Sequence, residues 1–165
     1  PRAGPTVSGS AGSVGKCEFI RKRGAAHAHD YNTQNVVERV NALTHHGADI
    51  VFDHVAGKAF TDGLKMVAPL GMIVSYAVLG GVPEDDLFKA MRANIEASPA
   101  VRCFTMHSYD HDPEARARIL AAALELFASG AVRPRIHARL PLAEAARAHE
   151  MLDAREVLGK IVLKP

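Results

Sequence analysis

At 165 residues with 48% apolar side chains, the chain is long enough for one compact domain with a substantial core and too short for two ordinary ones. A net charge of +2 with basic and acidic residues interspersed excludes the electrostatic stripe of a nucleic-acid binder, and the lack of tryptophan argues against a base-stacking platform. No apolar run approaches membrane length and no N-terminal signal pattern is present; Cys17 and Cys103 have neither zinc spacing nor a redox motif, so both are expected as reduced, partly buried thiols of a cytoplasmic protein. The chain begins at Pro1 rather than methionine, as a fragment or processed piece would.

The run from Val7 to Lys16 (VSGSAGSVGK) is β-prone, then breaks into small residues ahead of a helical pattern. Glycines there let the backbone approach an anion, Ser13 adds a hydroxyl, Lys16 adds charge, and the next helix adds unpaired N–H groups. Together they describe a phosphate-accepting turn; the alternative is a flexible Gly/Ser connector. The first helix is expected from Val14 to Arg23, stopped by Gly24, and a strand from Ala26 to Tyr31. Asn32 or Thr33 should cap a second helix, whose Val36, Val37, Val40 and Leu43 recur at helical spacing as far as His46 and Gly47. Ala48 to Asp53 reads as a buried strand needing cover on both faces. A helix from Gly57 to Val67, a strand from Gly71 to Val78, a partly helical stretch from Pro83 to Ser98 and a strand from Val101 to Met106 follow. Asp112 and Pro113 then open a helix up to Gly130, whose Ile119, Leu120, Ala123, Leu124 and Phe127 form one apolar stripe expected in the core. Arg135 to Leu140, Ala143 to Ala154 and Lys160 to Leu163 continue as strand, helix and strand.

Repeated βα units imply an α/β fold: a doubly wound parallel sheet, Rossmann-like, with helices on both faces and residues 1–165 forming one domain. Ligands of such sheets sit beyond the carboxyl ends of the strands, which directs attention to Gly12, Ser13, Tyr31, His54, Val55, Ala77, Val78 and Leu79.

Motifs along nearly the whole chain carry a resemblance. Gly12, Ser13 and Lys16 lead into FIRKRGA (19–25), and HDY (29–31), VVERV (36–40), GADIVFD (47–53), LGMIV (70–74), GAVRP (130–134), LAEAARAH (142–149) and GKIVL (159–163) follow. In that order and spacing the sequence resembles the C-terminal, cofactor-binding half of the medium-chain dehydrogenase/reductase superfamily, in its zinc-independent quinone oxidoreductase branch.

The resemblance implies that Gly12, Ser13 and Lys16 hold the adenosine 2′-phosphate of NADPH, that Tyr31 fixes the adenosine end, and that Arg155 can reach the same phosphate. A lysine suits phosphate, and no position from Val7 to Lys16 is acidic, so the resemblance favours NADP over NAD as cofactor. His54 and Val55 match the turn against the cofactor's sugar, and Ala77, Val78 and Leu79 match the turn near the nicotinamide. Phe104, Thr105 and Met106 match a strand that family members pair across a two-fold axis, and whose backbone can also reach the nicotinamide. Ordinary strand packing is the alternative for Phe104 and Met106, and a solvated surface charge for Arg155. The implied activity is hydride transfer to a quinone or enone by a homodimer.

Two departures from the family pattern stand out. The catalytic N-terminal domain that binds the quinone or enone is not in this sequence, so no catalytic residue is assigned. Within the Rossmann unit, one turn is offered where two are expected. Gly9, Gly12 and Gly15 have the GxxGxxG spacing of a first-strand loop, whereas a gap-free match from Val7 to Tyr31 favours the second strand. On the second choice the sheet is incomplete at its N-terminal end, leaving the second and fourth strands of the order 3-2-1-4-5-6 without their shared partner. A non-catalytic dimerising fragment or nucleotide-binding module is therefore the alternative function.

No metal site is expected: His27, His29, His45, His46, His107 and His111 lack zinc-ligand spacing and Cys or HExxH support. His45 and His46 read as cations at a helix C-terminus, His149 as a packed core histidine, and Asp53 as a structural carboxylate. Glu84, Asp85 and Asp86 look like a solvated helix start.

Overall fold

A computed structural model describes residues 4–165. The elements run β1 (Ser8–Ala11), α1 (Val14–Lys22), β2 (His27–Asp30), α2 (Val36–Thr44), β3 (Ala48–Asp53), α3 (Gly57–Leu64), β4 (Val67–Ser75), α4 (Leu87–Ala93), β5 (Ala100–Cys103), α5 (Pro113–Ala128), β6 (Ile136–Pro141), α6 (Ala145–Asp153) and β7 (Lys160–Lys164). They fall into two compact units, one ending at Ser108 and the other spanning Tyr109–Pro165.

Every strand pairing among the described residues is parallel, as the strand and helix alternation requires. The ladder is not continuous, however: the sheets are β1-β2, β3-β4-β5 and β6-β7. β1 pairs with β2, and β3 has β4 as its neighbour. In the order 3-2-1-4-5-6 this is the pairing of a second strand with a third and of a fourth with a fifth; a first strand would also pair with the fourth. β1 thus occupies the second-strand position, and the ladder breaks where the shared central strand would lie.

The core of the first unit forms where α3 lies on β3 and β4. Phe60, Leu64, Val67 and Ile73 make its buried centre, with Val51, Val101, Ala90 and Met91 packed around them. Each such large apolar side chain contributes about 1.5–3 kcal/mol by leaving water. Strand alternation turns Val51 and Asp53 toward α3 and turns Ile50 and Phe52 away, where they are 57% and 70% exposed. β3 is therefore covered on one face among the described residues, not on both.

Other expectations are corrected locally. α2 is capped by Asn35, whose side chain accepts from the Glu38 N–H at 3.3 Å. Asn32 and Thr33 are instead held in a turn by Asp30, whose carboxylate accepts from the Asn32 N–H at 3.0 Å. α2 closes at His45, which adopts φ 61. β4 begins at Val67, not Gly71, because Val67 already pairs with Ala48 before the register shifts. β5 ends at Cys103, so Phe104 and Thr105 lie beyond the strand, and Met106 opens a 3₁₀ turn (Met106–Tyr109). The α5 stripe is amphipathic but buries none of its residues: Ile119, Leu120, Leu124 and Phe127 are all exposed, because a helical period needs an opposing surface to become core. On α6 the inward turn carries Ala148 and leaves His149 exposed. Cys17 is buried and Cys103 exposed; both are free thiols.

Candidate functional site

The β1-β2 register sets Ala11 opposite Asp30, so Gly12 and Tyr31 leave the same sheet end together. The Tyr31 N–H donates to the Ala11 carbonyl at 3.1 Å, and the Asn32 amide donates to the Gly12 carbonyl at 2.9 Å. Ser13 caps α1 in extended backbone (φ −164, ψ 157), and its hydroxyl accepts from the Lys16 N–H at 3.3 Å. No acidic residue stands in the first turn of α1, so its N-terminal N–H groups keep their positive potential beside the half-buried Lys16. A β-carbon on residue 12 would come within 2.5 Å of the Tyr31 Oη, so the phenol packs directly over the glycine. Beside Tyr31 lies a cleft of about 450 Å³ lined by Gln34, Val36, Lys58, Asp62 and Lys65 among others.

A second cluster forms at the carboxyl ends of β3 and β4. Asp53 is 6% exposed, and one carboxylate oxygen accepts from the Val55 and Ala56 N–H groups, both at 3.0 Å, while the other accepts from the Ser75 hydroxyl at 3.1 Å. That clamp holds Ala56 at φ 60, ψ −148, a conformation an L-residue adopts only under constraint. Gly57 follows at φ 51, and a β-carbon there would sit 2.7 Å from the Gly80 carbonyl oxygen, so only glycine fits. The Gly80 N–H donates to the Val55 carbonyl at 2.6 Å, the Tyr76 N–H to the Asp53 backbone carbonyl at 3.0 Å, and the Phe104 N–H to the Ser75 backbone carbonyl at 2.8 Å. His54 stacks on Tyr76 with ring centroids 6.1 Å apart.

The expected residues therefore fall into separate groups. Gly12, Ser13, Lys16 and Tyr31 share one turn. Val55 meets the 77–80 loop through the Gly80 N–H, His54 stacks on Tyr76 at the start of that loop, and Phe104 is tied to the exit of β4. Val78 and Leu79 are 64% and 78% exposed, and Thr105 accepts the His107 N–H through its hydroxyl at 3.3 Å. Arg155 belongs to the second unit, where it is exposed and adopts φ 57 just past α6. Sequence reasoning missed Ser75, Tyr76 and Gly80 as partners of the His54 turn. A carboxylate two and three residues ahead of free N–H groups was a legible signal for the Asp53 turn, but Ser75 reaches it only through strand register.

A family profile described as zinc-binding dehydrogenase matches residues 23–163. The chain belongs to the zinc-binding dehydrogenase family. It corresponds to the C-terminal part of the quinone oxidoreductase branch of the medium-chain superfamily. A quinone oxidoreductase of Pseudomonas aeruginosa is 35% identical over 98% of this chain and 50% of its own length. The rat synaptic vesicle membrane protein VAT-1 homolog is 27% identical over 97% of the chain and 43% of its own. A solved quinone oxidoreductase of Pseudomonas syringae superposes with TM-score 0.88 at 25% identity, covering 97% of this chain and 49% of that one. An Escherichia coli quinone oxidoreductase complexed with NADPH shares the fold at TM-score 0.87 and 24% identity over 97% of the chain and 49% of its own. The chain thus spans about half the length of the relatives it matches. The family's description carries zinc, but among the described residues no three His, Cys, Asp or Glu side chains are grouped to hold a metal ion. No helix among them is long and apolar enough to cross a membrane.

Proposed function

We propose that residues 1–165 form the dinucleotide-binding part of a cytoplasmic, NADPH-dependent oxidoreductase that passes hydride to a quinone or another electrophilic carbonyl or enone. The observation that carries this reading is the Ser13-capped start of α1, with Lys16 in its first turn and no acidic residue there. Such a turn accepts a phosphate, whereas binding the free ribose hydroxyls of NADH calls for a carboxylate. The NADPH bound by the E. coli fold relative supports the same cofactor class.

In this reading Gly12, Ser13 and Lys16 bind the 2′-phosphate, and Tyr31 with its adjoining cleft receives the adenosine. The Asp53 clamp holds the His54–Val55 turn against the sugar, while Ala77, Val78, Leu79 and the exit of β5 (Phe104, Thr105, Met106) line the nicotinamide end. Bound NADPH supplies the hydride from its nicotinamide C4. The groups that orient the quinone or enone come from outside this chain, and two copies pair as a homodimer.

The test is a fluorescence titration of NADPH into the 165-residue chain and a Lys16→Ala variant. Binding weakened roughly tenfold in the variant supports the proposal, since a charged hydrogen bond to phosphate is worth about 1.5–3 kcal/mol. The break between β1-β2 and β3-β4-β5 favours a second reading, a dimerising module without turnover. A folded chain that self-associates but leaves NADPH unbound would establish that one instead.

A further inference from the structure

Beside β2, five nitrogen-bearing side chains surround a small cavity. It measures about 100 Å³ and is lined by Arg21 of α1, His27 and His29 of β2, and Gln34 and Arg39 beside and on α2. That volume is roughly three waters' worth, too small for a nucleoside and sufficient for one oxyanion. Among the described residues no carboxylate lines it.

The basic groups are held in place by other bonds. Arg21 Nη2 donates to the Ala28 carbonyl at 2.7 Å, which fixes the guanidinium over β2 and leaves its remaining N–H groups for another acceptor. His29 is 3% exposed, and its Nε2 is hydrogen-bonded to the Ser8 hydroxyl at 2.9 Å. Gln34 lines the same cavity. Arg39 and His27 form none of the ion pairs found among the described residues. Charge without a counter-charge around a cavity of ion size is the arrangement a small anion completes, and two guanidinium groups match the oxygens of a tetrahedral oxyanion.

We propose that Arg21, Arg39 and His27, backed by His29 and Gln34, bind a phosphate-type oxyanion at a site separate from the Gly12–Lys16 turn. The site does not depend on the cofactor reading: only Gln34 is shared with the cleft beside Tyr31, and Arg21, Arg39 and His27 belong to neither that cleft nor that turn. It would hold inorganic phosphate or the phosphate group of a small ester whose remainder projects into solvent.

The test is an NMR titration of the His27 and His29 ring resonances with inorganic phosphate at constant ionic strength, using chloride as control. Saturable shifts are expected with phosphate and not with chloride. Their midpoint should rise roughly tenfold in Arg39→Gln and in His27→Gln, the loss of about one charge-assisted hydrogen bond, and stay unchanged in Lys16→Ala. Among the described residues neither Arg39 nor His27 makes a side-chain hydrogen bond or an ion pair, so these variants leave the fold in place. Shifts matched by chloride, shifts unaffected by Arg39→Gln, or shifts lost in Lys16→Ala would each overturn the proposal.

Discussion

The Tyr31 phenol lies over Gly12 so closely that a β-carbon at residue 12 would meet its Oη at 2.5 Å and its Cζ at 2.8 Å. That contact joins the end of β1 to the end of β2 and makes the absence of a side chain at residue 12 a condition for Tyr31's position. Gly12→Ala is expected to displace the half-exposed ring at about 1 kcal/mol or less of stability, since the ring can swing into solvent. NADPH affinity should fall in the same variant, as measured by fluorescence titration alongside thermal denaturation. Unchanged affinity would detach Tyr31 from the cofactor.

The buried Asp53 carboxylate is expected to be the most costly side chain to remove at the β3–β4 edge. Asp53→Ala strands two backbone N–H groups and the Ser75 hydroxyl, which should lower stability by about 2–4 kcal/mol in urea denaturation. Ser75→Ala removes one neutral partner and should cost about 1 kcal/mol. Equal, small effects for both would mean that the clamp does not hold Ala56 in its strained conformation.

His29 sets a pH dependence. Burial first, then the charges of Arg39, His27 and Arg21, hold its ring below the ordinary histidine value, with the Gln34 hydrogen bond opposing them. A histidine whose folded pKa is depressed takes up more protons when unfolded, so its contribution is fully present above the unfolded value near 6.5 and is lost as pH falls through the folded one. Stability from urea denaturation should thus decline as pH falls below the unfolded value near 6.5, and His29→Gln should flatten that part of the curve.

The cap of α2 distinguishes two neighbouring polar residues. Asn35→Ala is expected to cost about 1 kcal/mol, whereas Thr33→Ala should cost a few tenths, because the Asn35 side chain accepts the Glu38 N–H and Thr33 caps nothing. Equal losses in denaturation would return the cap to the earlier position.

Much of the fold was legible because its signals are local. The strand over Ala48–Asp53, the helix behind Ser13 and the cap of α5 at Asp112 follow from short apolar runs and cap chemistry. The parallel class followed from the alternation of elements. Burial was not legible in the same way. Phe52 and Leu124 carry the pattern of core residues yet lie exposed, since periodicity says which face is apolar and not whether a surface covers it. At the candidate site the phosphate turn was readable as a run of small residues ending in lysine. The Asp53–Ser75 link and the Arg21, His27 and Arg39 grouping were not, because strand register and side-chain reach between distant residues create them.

In the proposed function the Gly12–Lys16 turn selects a phosphorylated dinucleotide. The ratio of NADH to NADPH dissociation constants for the 165-residue chain at low ionic strength decides whether it does. NADPH should bind at least about tenfold more tightly, with the ratio collapsing toward one in Lys16→Ala. Equal affinities, or a preference for NADH, would contradict the account.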